Sequence, residues 1–162
     1  MTDESRPPAR TAIDPAALAR IAARLPGAGR ISSDDLERLP TTGLAHDHLR
    51  LRGMLVDGWP VLLRVPRTSF WGLAPGAALA RQAEAFRRLA PSGRTPRLLA
   101  VFEPEPDLPY GALAVEEVPG TPPSLPRDLS ALAQALAAIH GLPTPLPQAR
   151  PPLDDQTKPV AA

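Results

Sequence analysis

The period of the apolar positions changes as the chain advances. In IDPAALARIAARLPGAG, Leu18, Ile21, Ala22 and Leu25 recur at helical spacing. Asp14 stands where an N-cap carboxylate accepts free N–H groups, Pro15 suits the first helical position, and Pro26 with Gly27 ends the run. From Leu49 the period falls to two. Leu49 and Leu51 alternate with His48, Arg50 and Arg52, the mark of a half-buried strand. Asp57-Gly58 supplies a hairpin turn and WPVLLRVPR returns, so residues 47–66 are expected to form an antiparallel pair.

Pro75 and Gly76 then lead into AALARQAEAFRRLA, a helix with Leu79, Ala83, Phe86 and Ala90 on one stripe. RLLAVFE and GALAVEEV are two further strand candidates on either side of the turn PEPDLPY. Asp128 is expected to cap LSALAQALAAIH, whose Leu129, Leu132, Leu136 and Ile139 share a face before Gly141 and Pro143 stop it. Strands do not alternate regularly with helices, and no internal repeat is visible. This favours an α+β domain with an antiparallel sheet over a doubly wound parallel one.

Composition narrows the picture. A chain of 162 residues suits one domain, and with 4% aromatics its core must be aliphatic. The 23 prolines gather at the start, around 104–126 and beyond 143, which read as connectors. Residues 1–12 are expected to be a disordered tail, 13–143 the folded unit, and 144–162 a Pro-rich tail. The net charge of +1 gives no field that favours nucleic acid or an anionic membrane. No apolar run approaches the ~18 residues of a membrane span, and MTDESRPPAR has no hydrophobic signal core, so a cytoplasmic location is expected. The absence of cysteine excludes disulfides and thiolate metal sites. Lys158 is the only lysine, so any cation working within the folded body must be an arginine.

Arg64, inside VLLRVPR, is the arginine that stands out. A charge within an apolar strand is costly unless it finds a partner. Alternation places Leu62 and Arg64 on one face, with Val61, Leu63 and Val65 on the other. Glu84, on the following helix, is a candidate partner. A basic residue on a sheet, paired to a helix carboxylate, is how kinases hold the α- and β-phosphates of a nucleotide. The bland alternative is a solvated helix ion pair, since Glu84 has Arg81, Arg87 and Arg88 at i−3, i+3 and i+4.

Other candidates are weaker. Gly43, in TTGLAHDH, permits a turn whose N–H groups could lie over a phosphate, or a plain hairpin loop. His46 and His48 share a face only in an extended chain and lack a third ligand, so no metal site is expected. His140 reads as a partner of its helix dipole. GALAVEEVPG runs through Glu117 and Val118 into a Pro-Gly turn. Its backbone groups could read an adenine, or simply end a strand.

Taken in order, LPTTGLAHDHLRLRG, WPVLLRVPR, RQAEAFRRLA, TPRLLAVFE, GALAVEEVPG and LAQALAAIHGLP resemble the N-terminal part of the aminoglycoside phosphotransferase and choline kinase-like group over about residues 30–143. The resemblance implies a protein-kinase-like small lobe of about five twisted antiparallel strands with a packed helix, flanked by N- and C-terminal helices. It implies ATP as cofactor, with Mg²⁺ in the family. Gly43 would lie in the nucleotide-covering loop and Arg64 would bind phosphates, with Leu62 beside it and Glu84 orienting it. Glu117 and Val118 would form the hinge that contacts adenine through its backbone, and residues 128–140 the first helix beyond it. Members often carry arginine at the Arg64 position in place of lysine.

One departure is large. The family's catalytic loop reads H-G-D followed by an asparagine, with a metal-binding aspartate later. Here His140-Gly141 is followed by Leu142-Pro143, and the chain contains no asparagine. The expectation is therefore a truncated lobe that holds the nucleotide, with no catalytic residue and no metal ligand of its own and the large lobe absent. The alternative is a non-catalytic remnant or interaction module. Its partner would be a missing C-terminal lobe, or a second copy docking on the face of Leu132, Leu136 and Ile139.

Overall fold

The computed structural model describes residues 14–40, 45–69 and 73–144. Gly43, the expected N-terminal tail and the Pro-rich tail beyond Thr144 lie outside the described residues. The elements are α1 (Pro15–Ala22), β1 (Leu36–Arg38), β2 (His46–Val56), β3 (Trp59–Pro66), α2 (Pro75–Leu89), β4 (Leu98–Phe102), β5 (Ala112–Glu116) and α3 (Leu129–His140). Single 3-10 turns, Ser33–Asp35 and Ala90–Ser92, precede β1 and follow α2. The five strands form one antiparallel sheet in the order β1-β2-β3-β5-β4. The architecture is the α+β small lobe that the pattern predicts.

The sheet separates two environments. Directly paired residues project to the same face, so the register sorts the side chains. Leu49 pairs with Leu63, Leu51 with Val61, and Leu63 with Ala114. These residues meet Leu18, Ile21, Ala22 and Leu25 in a dry core. Asp14 starts α1 by accepting a hydrogen bond from the Ala16 N–H at 3.0 Å. Leu25 lies past the helix end yet is buried, so the predicted stripe continues through the turn that follows. Leu63 is fully buried at 0% exposure, and such a leucine contributes roughly 1.5–3 kcal/mol by leaving water. Two exposed ion pairs, Arg20–Asp107 at 2.8 Å and Arg24–Glu105 at 2.9 Å, tie α1 and the turn after it to the β4–β5 connection.

The opposite face is only part apolar. Leu62 pairs with Val115 and Arg64 with Leu113, and these apolar residues pack on Leu79 and Ala83 of α2. On the same face, towards β2, are His48, opposite Arg64, and Arg50, opposite Leu62. The β2–β3 turn is the predicted one: Asp57 and Gly58 both adopt positive φ, 51° and 84°, which suits the twist of a two-residue hairpin.

One expectation needs correction, and one of the five strands forms where no local pattern predicts it. The Asp128 side chain does not cap α3. Its carboxylate is occupied by the Ser124 N–H at 2.7 Å and by the Arg127 guanidinium at 3.0 and 3.1 Å. A third strand of the first meander, β1, also exists where the sequence shows no alternation. Helix α3 buries none of its residues: Leu129, Leu132 and Leu136 are 55%, 38% and 48% exposed.

Candidate functional site

The polar part of the second face is built around Arg64. Its side chain is half-buried in the strand centre, and burial lowers the guanidinium pKa from its ordinary value. Nη2 donates to Nδ1 of His46 at 3.3 Å, while Nε is buried without a hydrogen-bond partner. Among the described residues Arg64 makes no ion pair with a carboxylate. This is unusual for a buried arginine nitrogen, because unmade hydrogen bonds in the interior are costly.

The expected Arg64–Glu84 ion pair is not formed. Glu84 turns along its own helix to Arg87, Oε2 to Nη1 at 3.7 Å, as the bland alternative describes. The reason is helical phase. Leu79 and Ala83 face the sheet with Gln82 beside them, and Glu84 lies about 100° further around from Ala83. Gln82 Oε1 instead lies 2.8 Å from Nε2 of His46. A chain Arg64–His46–Gln82 therefore joins β3 to α2 through β2.

His46 is buried, 8% exposed, and its pKa is lowered to about 4 by burial first and by the Arg64 charge second. His48 is shifted in the same direction by the same two causes. The two rings stack with centroids 6.3 Å apart. Arg67 is a different case: it is bound to Asp47, which raises its pKa, and Asp47 also takes Arg38 at 2.9 Å. No group of three or more histidine, aspartate and glutamate side chains among the described residues is placed to hold a metal ion.

At the other end of this face lies the strand exit at Glu117. The Glu116 N–H bonds to the Arg97 carbonyl at 2.9 Å and the Glu117 N–H to the Pro60 carbonyl at 2.8 Å. Backbone bonding stops there. Val118, 58% exposed, has no backbone partner for its N–H among the described residues. The Glu117 carboxylate reaches over β3 to Arg50, whose Nε lies 2.8 and 2.9 Å from its two oxygens. Arg50 Nη1 also bonds Glu37 of β1 at 3.2 Å, and the two carboxylates raise the Arg50 pKa. Because Arg50 pairs with Leu62 and Leu62 with Val115, this bridge spans the sheet at Leu62.

The sequence-predicted residues therefore divide. Leu62, Arg64 and Glu117 lie at the centre and exit of one polar sheet face, Val118 follows at the rim of a neighbouring cleft, and Glu84 points away along α2. A cleft of about 550 Å³, lined by Trp59, Thr95, Arg97, Glu116 and Val118 among others, includes neither Leu62 nor Arg64. Sequence reasoning missed His46, Gln82 and Arg50 as parts of the site. The usable signal was periodicity: Arg50 alternates with Leu49 and Leu51, and Gln82 is three residues from Leu79 and four from Phe86.

An antiparallel small lobe with an arginine at the centre of its third strand and a packed helix beyond is the architecture of a kinase-like phosphotransferase. Residues 52–160, more than half of the chain, match the phosphotransferase enzyme family (APH), and the chain belongs to that family. No curated protein and no solved structure is a significant match. Among the described residues no helix is long and apolar enough to cross a membrane.

Proposed function

We propose that this chain is the nucleotide-binding lobe of an ATP-dependent phosphotransferase that modifies a hydroxyl of a small molecule, as aminoglycoside phosphotransferases do. The observation that carries the reading is the state of Arg64: a half-buried guanidinium with one orphaned nitrogen and no carboxylate to neutralise it. Such a group suits an anion with several acceptor oxygens, and a polyphosphate is one. Leu62 would pack against the base, and the Glu117 carbonyl with the Val118 N–H would read its edge. Gly43 belongs to the segment joining β1 to β2, the position of a nucleotide-covering loop. Glu84 joins this set through the family's pattern alone.

ATP would supply the transferable phosphoryl group, and the residues named here would bind and orient it. Among the described residues no group of three or more histidine, aspartate and glutamate side chains is placed to hold a metal ion, and no step is assigned to one. The chain also holds no H-G-D aspartate to take the proton of an acceptor hydroxyl and no asparagine to hold a metal ion. The 162-residue chain is therefore expected to bind ATP without transferring phosphate. An NMR titration with ATP tests the binding: the Leu62, Glu117 and Val118 amides should shift first. Shifts at Trp59, Thr95, Arg97 and Glu116 of the 550 Å³ cleft without shifts at Leu62 and Glu117 would contradict it.

A second reading is favoured by α3. Leu129, Leu132 and Leu136 form an exposed apolar row, which suits an interaction module that docks a large lobe or a second copy of this chain.

A further inference from the structure

Hydrogen-bond chemistry fixes the state of each member of the Arg64–His46–Gln82 chain. Arginine has no acceptor, so Arg64 Nη2 must donate and His46 Nδ1 must carry a lone pair. A neutral ring with a bare Nδ1 bears its proton on Nε2. That N–H must then donate, so Gln82 presents its amide oxygen at 2.8 Å. A protonated His46 would direct an N–H at Arg64 and break the chain. Groups that act on the ring include Arg64 on β3, His48 on β2, Gln82 on α2 and Arg67 after β3.

We propose that His46 and Gln82 are positioning residues for Arg64, doing with neutral groups what a helix carboxylate does by ion pairing. The difference has a chemical consequence. A glutamate would hold Arg64 and also cancel its charge. A neutral imidazole holds it and leaves the full positive charge for the ligand, while Gln82 locks the ring in the one tautomer that can accept. In this lobe, then, the helix couples to the phosphate-binding strand through the protonation state and tautomer of one buried histidine. The proposal rests on the nucleotide reading above and deepens it.

The test uses the whole chain and two ligands, ATP and inorganic tripolyphosphate, titrated calorimetrically into wild type, Arg64→Ala, His46→Phe and Gln82→Leu. Alongside it, long-range ¹H–¹⁵N spectra of wild type and Gln82→Leu report the His46 tautomer. Arg64→Ala should abolish tripolyphosphate binding, His46→Phe should weaken it roughly tenfold, the effect of one charge-assisted hydrogen bond, and Gln82→Leu roughly threefold to tenfold, that of a neutral one. Wild-type His46 should be the Nε2–H tautomer at neutral pH, and Gln82→Leu should populate the Nδ1–H form. If Arg64→Ala loses binding while both other variants match wild type, the relay is overturned and the nucleotide reading stands. A wild-type His46 carrying its proton on Nδ1 also overturns the relay, whether or not the variants fold. Wild type that binds neither ligand overturns the nucleotide reading, and with it the role given to the relay.

Discussion

Arg50 on β2 holds Glu117 at the exit of β5 across the width of β3, with Nε 2.8 and 2.9 Å from the two carboxylate oxygens. The bridge links the central hairpin to the segment that follows β5, above Leu62. Because both side chains serve one interaction, their removal should not be additive. Arg50→Met and Glu117→Gln should each lower the thermal midpoint, and the double variant should fall little below the worse single one. Calorimetric melting of the four proteins checks this, and an additive double variant would show the two groups acting separately.

Buried His46 makes stability depend on pH. Its pKa is about 4 in the folded chain, against about 6.5 when unfolded. Between these values the unfolded state binds more protons, so stability falls as the pH is lowered through that window and is fully retained above it. The loss attributable to this residue should be on the order of 2–3 kcal/mol by pH 4. Urea unfolding of wild type and His46→Phe from pH 7 to pH 4 isolates it: the variant's curve should be flatter by that amount.

Gly111 sets how closely α2 approaches the sheet. Its φ is +67°, and a Cβ there would meet Leu79 Cδ2 and the Phe102 carbonyl oxygen at 2.5 Å. The carbonyl cannot swing aside as a flexible side chain can. Gly111→Ala should cost roughly 2–4 kcal/mol, the sum of a left-handed alanine and an overpacked contact. Urea denaturation measures it, and a loss below about 1 kcal/mol would show that the turn relaxes.

The exposed row on α3 predicts self-association. Sedimentation of the wild-type chain should show a mass that rises with concentration, and Leu132→Glu with Leu136→Glu should remove that rise without lowering the melting temperature. A wild-type chain that stays monomeric throughout would contradict docking by a second copy.

The parts of this lobe that were legible in the sequence are those with a local rule. The stripe of α1, the period-two run through Leu49 and Leu51 and the Asp57-Gly58 turn each depend on neighbours within a few residues. β1 was not legible, because three residues in a polar stretch show no alternation and gain their order by pairing with Leu51, Arg50 and Leu49 of β2. The site divides in the same way. Alternation alone placed Leu62 and Arg64 on one face. The partner of Arg64 depends on the rotation of α2 about its axis, and Glu84 lies about 200° from Gln82. Charge favoured the carboxylate, whereas phase selected the amide. His46 drew notice only as half of a metal pair, since nothing local shows that its ring lies between an arginine and a glutamine distant in sequence.

Arg64 has no carboxylate partner among the described residues, and we propose that a polyphosphate supplies its counter-charge. Calorimetric titration of ATP into wild type and Arg64→Ala tests it most directly. Wild type should bind saturably, with an affinity that falls at least tenfold in the variant, the minimum expected on losing a charged hydrogen-bond donor. Equal affinity in the two proteins would remove Arg64 from the site and contradict it.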